Sequence, residues 1–172
     1  MMLASKVYPM KIRTVALMLC LLMAACSASS TSAPQPVATS TLGVDVEMES
    51  AFRAARNTLN TFTQKIETPQ ANRTYVAVKV RFYPPETVSQ DIWVDGVTYQ
   101  NGVIRGNMGD DIPALKLSFG KNIVVNTNDI LDWMLVEDGK LSGGYTIRLA
   151  YQRMSPEEQE RFLKSLDYSL GN

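Results

Sequence analysis

The sequence predicts an α+β domain: a curved antiparallel sheet of about five to seven short strands, with an N-terminal and a C-terminal helix packed on it. Three observations predict it. Apolar residues recur at three- and four-residue steps from Met48 to Ile66, alternating strand patterns with turn signals follow, and a helix-start signature stands at Ser155.

The chain before the domain reads as an export signal. Lys6, Lys11 and Arg13 precede an apolar run from Val15 to Met23, which ends in Ala24-Ala25-Cys26. A basic start, an apolar run too short to span a bilayer and small residues at its end describe a secretory signal over residues 1–25. Either Met1 or Met10 serves as its start. The small pair before Cys26 resembles the lipobox of bacterial lipoproteins, with Met23 where a leucine is usual. That resemblance implies cleavage before Cys26 and acylation of its sulfur. Ser27 is not the aspartate that holds such proteins in the inner membrane, so the expected place is the outer membrane, facing the periplasm. Residues 26–43, including "SASSTSAPQPVATSTLG", are uncharged and rich in Ser, Thr, Ala and Pro, the composition of a tether. Residues 44–172 remain for one small domain.

Composition narrows the chemistry. Three of the 17 basic residues lie in the signal, so the mature chain carries a formal charge of about −3 against its 17 acidic residues. With no basic block, nucleic acid is not an expected partner. There is no histidine, and Cys20 and Cys26 are the two cysteines. Ser-His-Asp and Cys-His catalysis are excluded, and the commonest transition-metal ligand is missing. No phosphate loop or dinucleotide glycine pattern is present, and no small-molecule cofactor is expected.

The elements follow in order. Met48, Phe52, Ala55, Leu59, Phe62 and Ile66 form the apolar face of one helix over about 46–66, stopped before Pro69. Its polar side mixes Glu47, Glu49, Arg53, Arg56 and Lys65, which favours docking on the domain's own sheet over a lipid surface. Val76, Val78, Val80 and Phe82 alternate with Ala77, Lys79 and Arg81 as in a half-buried strand ended by Pro84-Pro85. Ile92–Val94 is a second strand. Segments 97–100 and 103–106 flank Asn101-Gly102, a strong hairpin signal because both residues accept positive φ. Residues 107–121 read as an irregular connection with a helical turn, and 122–126 as another strand. At the end, Ser155-Pro156-Glu157-Glu158 offers a cap, a proline at the first helical position and a reciprocal Glu; Phe162, Leu163 and Leu166 supply the buried side.

Between them lies "DWMLVEDGKLSGGYTIR", residues 132–148. A type I′ turn at Asp138-Gly139 sets Glu137 opposite Lys140 as a cross-strand charge pair and Trp133 opposite Gly144, where the ring can lie over bare backbone. Continued as strand, one stripe takes Leu141, Tyr145, Ile147, Leu149 and Tyr151 with Met134 and Val136. The other takes Trp133, Leu135, Ser142, Gly144, Thr146 and Arg148. The expected fate of Trp133 is cover by a helix or loop. Exposed, the set Trp133, Leu135, Gly144, Thr146 and Arg148 becomes a candidate binding face.

This segment, with "VKVRF", "IWV" and "GVIRGN" upstream, resembles the uncharacterised bacterial family typified by YegJ, over roughly residues 72–154. Leu135 stands where that family commonly has tyrosine, and the 107–119 connection departs from its usual Asn-x-Pro pattern. The resemblance implies a compact domain and no established activity.

Two functional classes remain. The favoured one is a non-catalytic envelope module that binds another protein, with an immunity protein neutralising a toxin as a variant. The other is a carboxylate-dependent cell-wall or glycan hydrolase, for which Asp129 and Asp132 are the acid/base candidates. Asn126, Asn128, Asp129 and Asp132 lack the spacing and glycine of a calcium loop, so no metal is expected.

Overall fold

The computed structural model describes residues 45–171; the signal, Cys26 and tether readings lie outside them. Two helices come first, α1 (Val46–Asn57) and α2 (Leu59–Glu67). Strands β1 (Arg73–Phe82), β2 (Gln90–Gln100), β3 (Val103–Met108) and β4 (Asn122–Val125) follow. Then come β5 (Ile130–Glu137), β6 (Lys140–Gly143), α3 (Tyr145–Gln152) and α4 (Pro156–Ser165). All pairings are antiparallel in one six-stranded sheet, order β4-β3-β2-β1-β5-β6. The fold is α+β, with helices at both ends as the patterning required.

The two sheet faces carry separate cores. Val78, Val80, Val94, Trp133 and Leu135 pack with Ala55, Phe62 and Ile66 of α1 and α2. Their neighbours Ala77, Met134 and Val136 point the other way, onto Ile147, Tyr151 and Phe162 of α3 and α4 and the C-cap residue Leu166. Strand β5 is therefore buried on both faces from Ile130 to Val136, which is why it reads as a continuous apolar run broken only by Asp132.

The predicted single helix over 46–66 is two helices that meet at Thr58. Its hydroxyl donates to the carbonyls of Ala54 (3.0 Å) and Ala55 (3.1 Å), and its ψ of 5° breaks the α geometry. A mid-helix threonine that bonds back to the preceding turn bends the helix there. The Phe62 amide still reaches the Thr58 carbonyl at 3.1 Å, so the two helices keep one common apolar side.

Both turn signals held. Asn101-Gly102 and Asp138-Gly139 all have positive φ, and the register runs Glu137↔Lys140, Val136↔Leu141, Leu135↔Ser142 and Met134↔Gly143. The 92–94 and 97–100 segments are one strand with an irregularity at Gly96 (φ 59°). A 3₁₀ turn at Pro113–Leu115 interrupts the 107–121 connection.

Three expectations are corrected. The alternating stripe Tyr145–Tyr151 is helix α3, because Gly143 (φ 71°) and Gly144 (φ 63°) turn the chain out of the sheet. Glu137 faces Lys140, yet its ion pair is with Arg73 at 3.2 Å. In α4 the capping box is present and Phe162 and Leu166 pack inward, but Leu163 is 44 % exposed.

Candidate functional site

The residues around Trp133 form a closed junction. The indole is 4 % exposed; it stacks on Phe62 at 5.1 Å between centroids and meets Tyr145 edge-on at 6.1 Å. Its Nε1 donates to the Ala55 carbonyl and to Thr58 Oγ1, both at 3.1 Å, where the helix bends. Thr58 Oγ1 also bonds the Tyr145 hydroxyl at 2.9 Å. The bare backbone beneath the ring is that of Gly143, one residue earlier than the predicted Gly144. A Cβ at Gly143 would stand 2.5 Å from Trp133 Cε3 and 2.3 Å from its carbonyl oxygen.

Asp132 is fully buried, and both its oxygens are saturated. Oδ1 accepts from the amides of Trp133 (2.8 Å) and Tyr145 (3.2 Å); Oδ2 accepts from the amide and hydroxyl of Thr146 (2.7 and 2.8 Å). Lys79 Nζ donates to the same hydroxyl at 3.3 Å. Burial pushes the carboxyl pKa up, and the donors from Thr146, Trp133 and Tyr145 oppose the shift. An aspartate in this position is a helix cap supplied from a strand, and general acid/base work needs an access it lacks. Asp129 closes a 3₁₀ turn whose cap is Asn126.

The candidate binding face is therefore not open. Trp133, Leu135 and Thr146 are buried, and Gly144 is enclosed beneath Leu141. The Arg148 guanidinium binds carbonyls of Gly143 (2.9 Å), Leu141 (3.0 Å) and Gly171 (3.2 Å), tying β6 to the C-terminal segment. The prediction treated this stretch as strand; turning it into a helix wraps these residues inward.

The open surface lies on the other face of the sheet. α3 and α4 cover β5, β6 and Ala77 of β1 there but leave Tyr75, Asp91, Trp93 and Asp95 partly exposed, and a groove of about 540 Å³ results. Tyr75, Trp93 and Tyr168 line it together with Asp91, Asp95, Asp110 and Asp167, over buried Met134. Strand alternation accounts for much of this: Asp91, Trp93 and Asp95 are two apart on β2, and Ala77↔Asp95 and Lys79↔Trp93 face β1.

Its groups are organised. The Tyr75 hydroxyl, in a residue 39 % exposed, donates to Asp95 Oδ1. Burial and that carboxylate hold its pKa far above the usual tyrosine range. Burial and the charge of Asp167 raise Tyr168 as well. Arg81 grips Asp91 with two bonds, at 2.7 and 2.9 Å. Lys79 Nζ stands 5.4 Å from the Trp93 ring centroid. The Gly109 amide donates to the Trp93 carbonyl at 3.0 Å, and a Cβ there would sit 2.4 Å from that oxygen. Only glycine allows the loop after β3 to close so tightly on the groove's end. Among the described residues no group of three His, Cys, Asp or Glu is placed to hold a metal ion.

No motif in the sequence marks this groove as a site. Asp91-x-Trp93-x-Asp95 on a strand was its one available signal, since it puts an aromatic between two carboxylates on one face. Tyr168 and Asp167 join through tertiary folding alone.

A bacterial family described as "Uncharacterized protein conserved in bacteria (DUF2314)" matches residues 45–169, which contain the whole sheet, the junction and the groove. The chain belongs to the DUF2314 family. The DUF2314 match extends the 72–154 resemblance at both ends, taking in both N-terminal helices and α4. Uncharacterized protein YegJ of Escherichia coli K12 is 28 % identical over 102 residues, 58 % of this chain. A putative ankyrin repeat protein of Neisseria meningitidis serogroup B is 28 % identical over 89 residues, 49 % of this chain. The matched regions span 64 % and 35 % of those two relatives. No solved structure matches the chain.

Proposed function

We propose that this DUF2314 chain is a non-catalytic envelope protein, lipid-anchored at Cys26 in the outer membrane, that binds another protein in the periplasm through the β1–β2 groove. The observation that carries the binding reading is the groove itself. It is a partly exposed stretch of the sheet face, lined by three aromatic side chains and four carboxylates, beside the part that α3 and α4 seal. Its volume falls in the range of ordinary ligand pockets. Large aromatic rings at an open surface are the usual anchors of protein interfaces. Asp132, one of the two acid/base candidates, is occupied as a helix cap, and this argues for binding over hydrolysis. The signal-like run, Ala24-Ala25-Cys26 and the uncharged tether support the anchor and the compartment.

Site-specific photocrosslinking in intact cells tests this. With p-benzoylphenylalanine in place of Tyr168, one dominant protein should be captured; with it in place of Val124, exposed on the β4 edge, that protein should be absent. Equal capture from both positions, or none from position 168, rejects the groove as the binding face. Cys26→Ser should release the chain from the membrane fraction, and retention there rejects the lipid anchor.

A further inference from the structure

We propose that the groove takes a cationic side chain, an arginine or lysine presented by the partner. This rests on the groove being the binding face.

Charge is the first reason. Four carboxylates line the groove and no lysine or arginine does. Arg81 neutralises Asp91 from outside that lining, but Asp95, Asp110 and Asp167 take part in none of the ion pairs among the described residues. A cation entering the groove therefore meets uncompensated negative charge in a partly enclosed space, where screening by solvent is weaker than on an open surface.

The aromatic walls are the second reason. The faces of Trp and Tyr rings attract cations, Trp most strongly. Trp93 already does so within the chain, since Lys79 Nζ approaches its ring from outside the groove lining. The ring faces of Tyr75 and Tyr168 and the edge of buried Met134 offer apolar surface for the aliphatic stem that a lysine or arginine carries. The Tyr75 hydroxyl donates to Asp95 Oδ1, which fixes that carboxylate while leaving its second oxygen for an incoming donor. Aromatic rings flanked by carboxylates also suit a saccharide, but a sugar has no need of several unneutralised acids.

The chain's two tryptophans make the test direct. The full chain, labelled with 5-fluorotryptophan, gives one fluorine resonance for Trp93 and one for buried Trp133, assigned with Trp93→Phe. The probes are acetyl-Gly-Arg-Gly-amide, its Gln counterpart and a chitin trisaccharide. The arginine peptide should shift the Trp93 resonance, leave Trp133 in place, and lose its effect at high salt. In the Asp95→Asn, Asp167→Asn double variant its apparent affinity should fall about tenfold or more, the size expected for charged hydrogen bonds. Equal shifts from the Gln peptide or the trisaccharide overturn the proposal. So does a Trp93 resonance unmoved by the arginine peptide, whether or not a partner crosslinks at position 168.

Discussion

The Asp132 carboxylate accepts the amide hydrogen of Thr146 at 2.7 Å and its hydroxyl at 2.8 Å, so that a residue of β5 caps α3. The helix's own N-cap, Gly144, has no side chain to do so. A negative charge at a helix start also meets the positive end of its dipole. This contact holds the start of α3 against β5 once Gly143 and Gly144 have turned the chain, and it sets Tyr145 against the Trp133 ring.

Replacing Asp132 with Ala should therefore unfold the domain at markedly lower denaturant concentration. Three backbone amides and a hydroxyl would lose their acceptor, and buried unsatisfied groups cost about 1–3 kcal/mol each before relaxation. We expect a net loss of about 3 kcal/mol or more, read from urea unfolding. Stability unchanged in Asp132→Ala would return the residue to the acid/base candidates.

Gly143 and Gly139 separate steric conflict from backbone conformation. Both have positive φ (71° and 67°), but an added Cβ meets Trp133 at the first and nothing within 4 Å at the second. Gly139→Ala should cost about 1 kcal/mol, the conformational term alone. Gly143→Ala should cost about 1–3 kcal/mol more, the range for overpacking. Equal melting temperatures for the two variants would contradict the packing of Trp133 on Gly143.

Arg153 predicts an acid sensitivity at the start of α1. It binds Asp45 (2.6 and 2.7 Å) and Glu47 (2.6 Å); the Asp45 carboxyl is lowered to about 2, first by its hydrogen bond with Arg153 and then by the Met48 amide that it caps. A carboxylate with a depressed folded-state pKa adds stability that is full above its ordinary value of 3.8 and vanishes as pH falls through about 2. The stability difference between wild type and Asp45→Asn should thus shrink between those limits. A difference that stays constant from pH 5 to about 2 would show that the contact does not form in solution.

Most of the fold was legible because its signals are local. Asn-Gly and Asp-Gly turns, the Val76–Phe82 alternation and the Ser155–Glu158 box each act within a few residues. The fate of Tyr145–Tyr151 was not, since its apolar spacing suits a strand as well as a helix and the start of the helix is held by Asp132, 13 or 14 residues away. The bend at Thr58 was hidden for a similar reason: the apolar period continues across it, and the hydroxyl's partners include Trp133 and Tyr145. The groove escaped because it is defined by what the helices leave uncovered. Patterning says which residues face away from one core, but not where the second layer ends.

The two tryptophans divide the account, and a comparison of their variants tests it most directly. Partner capture and thermal unfolding should be measured for Trp93→Ala and Trp133→Phe in the full chain. Trp93→Ala should unfold cooperatively and lose the partner, while Trp133→Phe, deprived of its bonds to Ala55 and Thr58, should melt lower and still capture it. Undiminished capture by a folded Trp93→Ala would contradict the groove as the binding face.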